Sequence, residues 1–239
     1  MKNKKILLGL LAVIFSTASC SNDESSSNNA NDNLTIVAKA SYSGNTCRME
    51  NAVSISEFKI NLKEIEFELD DDFYDDDDDD YGDGFYGDDD EFELRGPFEL
   101  DLLSGQTTIT SINIPNGVYE EVEFEMARST NSESELFNKS VLIKGTIGTT
   151  PFVFWHNIDE DFEIDYEDAG QNLVISDNSA TIVIDFNLDA VLANVDLSNA
   201  QDGNGDGLIE ISPNDTDGNQ SLANTIKDKI EEYTDLLDD

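Results

Sequence analysis

Residues 202–209 read Asp-Gly-Asn-Gly-Asp-Gly-Leu-Ile, the order D-x-N-x-D-G-x-I. Side-chain oxygens at alternate positions can converge on one hard cation. A glycine at the sixth position permits the sharp turn, and the seventh residue offers its carbonyl. The apolar eighth residue, Ile209, ties such a loop to a core. A second oxygen-rich run, Asp215-Thr216-Asp217-Gly218-Asn219, follows closely. The expected site is one calcium ion held by Asp202, Asn204, Asp206 and the Leu208 carbonyl, and closed by Asp215 or Asp217. The competing reading is a pair of plain turns, because Asp, Asn and Gly are also what turns select.

The first eight residues resemble the front half of an EF-hand or dockerin-type calcium loop. The likeness stops at the twelfth position, where Pro213 stands in place of a bidentate Glu. Lacking that ligand, the site is expected to be weak, around 10⁻⁴–10⁻³ M, as in extracellular modules.

Little else in the chain suggests chemistry. There is one histidine and there are two cysteines, Cys20 and Cys47, so zinc sites built from His and Cys are excluded. A Cys47–His156 nucleophilic pair would need a residue from a polar turn to meet one at a strand end. Neither a G-x-S-x-G elbow nor a phosphate-binding glycine loop occurs. Carboxylate pairs can hydrolyse glycosides, but with 53 acids any one pair is uninformative. Trp155 and His156, beside Phe152 and Phe154, could line a sugar site, though core packing explains them as well. The expectation is a non-enzymatic module.

The N-terminus reads as a processing signal. Lys2, Lys4 and Lys5 precede an apolar stretch over residues 6–15. That is too short for a helix to span a bilayer, which takes about 20 residues. Thr17-Ala18-Ser19-Cys20 resembles a bacterial lipobox, with Thr17 where Leu is usual, and this implies a lipidated Cys20. The alternative is an ordinary secretory signal cleaved near Ser19. A multi-acyl anchor holds because each buried CH₂ contributes about 0.8 kcal/mol. Residues 1–19 are thus a signal peptide, and residues 20–33, almost devoid of apolar side chains, a flexible tether. Ser21-Asn22-Asp23-Glu24 resembles the signal that sends Bacteroidota-type lipoproteins to the outer face of the outer membrane. An acidic linker on a periplasm-facing protein is the alternative.

Loss of residues 1–19 removes three lysines, so Lys+Arg falls from 13 to 10 against 53 Asp+Glu, a formal charge of −43. Nucleic acids and anionic lipid bind through Lys and Arg, so such a body is repelled by them. Divalent cations and basic protein surfaces are the favoured partners. The acids are densest between Glu66 and Glu93, with 17 and no Lys or Arg. Charge repulsion should keep the middle of this stretch, an acidic loop at 70–91, solvated. Its interleaved Phe73, Tyr74, Tyr81, Phe85 and Tyr86 would suit a sticky arm for a basic partner, but a tolerated low-complexity insertion is equally consistent. Poly-Asp alone holds divalent ions weakly, for want of fixed ligands.

The elements that would position these groups are mostly strands. Period-two alternation places strands at 34–40, 58–69, 92–103, 107–114, 119–127, 140–147, 152–156, 162–166 and 180–186. In 58–69 the apolar phase slips at Lys63-Glu64, predicting a β-bulge. Many short strands with turn residues between them argue for a sandwich or barrel. Residues 188–194 read as one or two helical turns. Leu222, Ile226, Ile230, Tyr233 and Leu237 share one face at helical spacing, predicting a helix over 220–237 capped by Asn219 or Ser221. Residues 34–239 therefore form a single domain. Cys47 has no intrachain partner once Cys20 is acylated, so a hydrophobic core must hold it.

The segments FKINLKEIEF (58–67), FELDLLSG (98–105), IPNGVYEEVEF (114–124) and IVIDFNLDAVL (182–192) resemble a bacterial lipoprotein domain family of unknown function common in Bacteroidota. The resemblance implies an immunoglobulin-like or transthyretin-like antiparallel β-sandwich, and it brings no catalytic residues. The acidic loop and the C-terminal Asp/Asn segment with its helix depart from that family's core.

Overall fold

The computed structural model describes residues 32–44, 52–70, 91–165, 173–178 and 180–238. The expected signal peptide, Cys20, nearly all of the expected tether, Cys47 and residues 71–90 of the expected acidic loop lie outside the described residues. The domain is mostly β, with two sheets and a C-terminal helix.

The smaller sheet is built from β1 (Leu34–Ala40), β4 (Thr107–Ile112), β10 (Ala180–Phe186) and β12 (Thr234–Asp238), in the order β12-β10-β1-β4. The larger is built on β2 (Val53–Leu69), β5 (Gly117–Met126), β6 (Val141–Ile147), β7 (Thr150–His156), β8 (Glu160–Asp165) and β11 (Ile209–Ile211), in the order β11-β7-β6-β2-β5-β8. To it β3 (Glu91–Asp101) adds on β2, and β9 (Leu173–Ile175) on β5. Most ladders are antiparallel; β1–β10 and β11–β7 are parallel.

Alternation explains why these segments are strands. In β2, Ile65, Phe67 and Leu69 are buried while Glu64, Glu66 and Glu68 between them are not, so one face meets the core and the other meets water. The two inner faces meet in an aromatic cluster, where Phe186 of β10 packs edge-on against Phe58 of β2 at 5.7 Å and against Phe124 of β5 at 6.4 Å. The predicted bulge is present, since the register of β2 shifts between Leu62 and Glu64 against both β3 and β5.

The C-terminus departs from the predicted long helix. After α1 (Leu188–Ala193), a 3-10 turn (Leu197–Asn199) and β11, the helix α2 spans Gln220–Glu232 and stops. Leu237, which falls on its apolar phase, lies instead in β12 opposite Val183 of β10. Periodicity could not anticipate this, because the open edge of β10 is a distant feature, and a few apolar residues fit either period. The consequence is a strap. β11 adds to the edge of the larger sheet, α2 follows, and β12 adds to the edge of the smaller one. Ala223, Ile226 and Ile230 are the residues that α2 buries.

Candidate metal centre

The strap begins in the Asp/Asn/Gly segment, where the fold brings the two oxygen-rich runs together. Gly203 lies against Asp217 so closely that a Cβ there would sit 2.3 Å from the Asp217 carbonyl oxygen. The next amide, of Asn204, donates to Asp217 Oδ1 at 3.1 Å, and Asn204 Nδ2 donates to Thr216 Oγ1 at 3.1 Å. Gly205 and Gly207 adopt left-handed φ of +78° and +92°. That conformation lets the chain curl around Asp202, a cost that residues with a Cβ would pay. Asp202 Oδ1 accepts from the amides of Gly205 and Asp206 at 2.7 and 3.1 Å, and Oδ2 from Gly207 at 2.9 Å. Asn204 Oδ1 takes the Asp206 amide and Asp206 Oδ1 the Leu208 amide, both at 2.9 Å.

The two closing candidates prove different. Asp215 Oδ1 accepts from the amides of Asp217, Gly218 and Asn219, and its Oδ2 from that of Ser212. Both candidates are buried, and an ionised carboxylate has about four acceptor sites, so Asp215 is saturated by backbone and acts as a structural hub. Asp217 takes one amide on each oxygen, from Asn204 and from Glu210, and keeps about half its capacity. Asn219 completes the clasp, its Nδ2 donating to the carbonyls of Gln201 and Glu210 at 2.8 and 2.7 Å. Asn219 occupies the expected cap position of α2, but its side chain caps nothing and stitches the loop instead.

With these amides in place, the clasp carboxylates do not converge. Among the described residues the one convergent acidic trio is Glu121, Glu123 and Glu163, whose carboxylate oxygens lie within 4.8 Å of one another. The pairing register explains it. β3, β2, β5 and β8 lie side by side, and Glu93, Glu66, Glu123 and Glu163 occupy one row across them. The row above holds Glu64, Glu125 and Asp161 with Arg95, and Glu68 faces Glu121 in the row below. Strands sit about 4.8 Å apart, so carboxylates crowd carboxylates. Burial first, then Asp161, Glu163, Glu125 and Glu64, push the Glu123 carboxyl above its ordinary range. Burial and then Glu125 push Asp161 up, against the pull of Lys63. Arg95 pairs with Glu93, and Lys63 with Glu125 and Glu64.

This acidic face is what sequence reasoning missed. Its signal was legible as Glu-x-Glu runs at 64–68 and 121–125. What could not be read was that β2 and β5 align them row by row.

The remaining candidates fall elsewhere. His156 and Phe154 are buried in β7, and Phe152 with them, so three of the four residues considered for a sugar site belong to the interior. Trp155 points the other way, under the Lys139 ammonium at 5.9 Å. No described helix is long and apolar enough to cross a membrane. No family model, curated protein or solved structure matches the chain.

Proposed function

We propose that the protein is a non-enzymatic binding module on the outer membrane, facing outward and held by a lipidated Cys20, whose C-terminal strap is fastened by calcium. Asp202, Asn204 and Asp206 supply side-chain oxygens, Leu208 its carbonyl, and Asp217 the closing carboxylate in place of the missing Glu. The observation that carries the reading is the contact of the two runs, with the Asn204 amide on Asp217 and the Gly203 Cα against the Asp217 carbonyl. After the backbone amides are served, Asp202 and Asn204 each retain one acceptor site and Asp206 and Asp217 more, which approaches the six to eight oxygens that calcium takes. Because these side chains must first be drawn together around the ion, affinity is low. The lipoprotein part rests on the signal at residues 1–20 and on the family resemblance.

Isothermal titration of calcium into the full chain should give a one-site isotherm in the 10⁻⁴–10⁻³ M range, lost in Asp202→Ala and in Asp217→Asn. Heat that is unchanged in both variants excludes the clasp. The intact mass of the protein taken from host membranes should show acyl chains on Cys20; an unmodified Cys20 removes the anchor.

A second reading has its own observation. The rows of carboxylates on the outer face of β3-β2-β5-β8 would suit adhesion to a basic partner. Such binding would weaken steeply with salt.

A further inference from the structure

We infer that His156 is an acid-sensitive latch beneath α2, whose protonation releases the C-terminal strap from the larger sheet. His156 is the single histidine of the chain and ends β7. It is 8% exposed, and α2 brings Asn224, Lys227 and Asp228 near the ring. Nε2 lies 3.4 Å from Asn224 Oδ1, an acceptor for a proton on Nε2. Nδ1 is buried, and among the described residues nothing bonds to it. A proton added there would be an N–H with no acceptor, in a place water does not reach, and such a group is expensive to leave unpaired.

The charged neighbours sharpen this. From α2 the ring faces Lys227 and Asp228. Lys227 is held in place by Glu160, at the start of β8, at 3.3 Å and by Glu231 at 2.6 Å. From β6, Val141 lies opposite His156 and carries no charge. Burial is the main influence holding the ring below its ordinary value of 6.5; the Asn224 contact opposes it, Lys227 adds to it more weakly, and Asp228 opposes it least. A ring freed from α2 regains that ordinary value. Below about pH 6.5 the undocked state therefore binds the proton that the docked state refuses, and undocking gains with every step toward acid. The strap yields before the sheet, because α2 buries Ala223, Ile226 and Ile230 whereas β7 is hydrogen-bonded on both sides, to β6 and β11. This inference does not depend on calcium, and it is tested without it.

Amide hydrogen exchange in the full chain with a calcium chelator reads the latch. Between pH 7.5 and 5.0, after correction for intrinsic rates, α2 amides should lose about tenfold more protection than those of β2 and β6, the ceiling for full exclusion of the proton being about 30-fold. The excess should vanish in His156→Gln. Asn224→Asp, at an exposed position, supplies a carboxylate to Nε2 and should remove the excess while raising the imidazole titration seen by NMR. An imidazole that titrates at 6.5 or above in the folded wild type overturns the latch. So does α2 protection that follows the sheets, or an excess that persists in either variant.

Discussion

Asp215 and Asp206 stand nine positions apart in the same acidic stretch and do opposite work. Asp215 is buried and satisfies four backbone amides. Asp206 is exposed and takes one. Asp215→Ala should therefore cost about 3 kcal/mol in urea unfolding whether or not calcium is present, since it strands buried donors. Asp206→Ala should cost no more than about 0.5 kcal/mol without calcium and should forfeit the whole calcium increment when the ion is added. Equal losses for the two variants in chelator would contradict this division. The alternation D-x-N-x-D-G made the loop legible from sequence, and so did the oxygen-rich run at 215–219. What separates Asp215 from Asp217 was not legible, because it depends on which amides curl onto which carboxylate, and that is decided by the left-handed turns at Gly205, Gly207 and Gly218.

Among the elements, β2 was read most fully. Its phase slip at Lys63-Glu64 is the bulge between Leu62 and Glu64, and its burial alternates as the sequence does. The segment 220–237 was read least well, because Leu237 satisfies a helical spacing and yet pairs with Val183. Where a short apolar run sits next to an open edge, the edge decides. The acidic face of β2, β5 and β8 also belongs to this scale, and it makes the sheet sensitive to pH. The folded Glu123 carboxyl is held above its ordinary 4.5, so the folded state binds the proton more readily than the unfolded chain. Its contribution to stability is full below 4.5 and is lost as pH rises through the raised value. Glu123→Gln should consequently be more stable than wild type at pH 7 by about 0.5 kcal/mol, the scale of opposed like charges in a sheet. The advantage should disappear below pH 4.5; an advantage of the same size at pH 4 and pH 7 would mean that repulsion across the rows is not its source.

At the scale of the molecule, a chain of formal charge −40 confronts every cation it meets with competing carboxylates. Exposed pairs contribute little in such a field. One compact network stands out. Glu135 sits between Lys144 and Lys59, and their hydrogen bonds bring its carboxyl down to about 2. The acidic face and the clasp are the two places where the excess negative charge is organised, and the clasp adds to its carboxylates an amide oxygen and a backbone carbonyl, the mixed oxygen set that calcium takes. Calcium therefore should find the clasp first. The measurement that tests this most directly is a calcium titration of the ¹⁵N-labelled protein followed residue by residue. Shifts confined to residues 201–219 and the first turn of α2, saturating with one dissociation constant, are the predicted result. Shifts that spread over β2, β5 and β8 without saturating, and leave Gly205 and Gly207 unmoved, would contradict it.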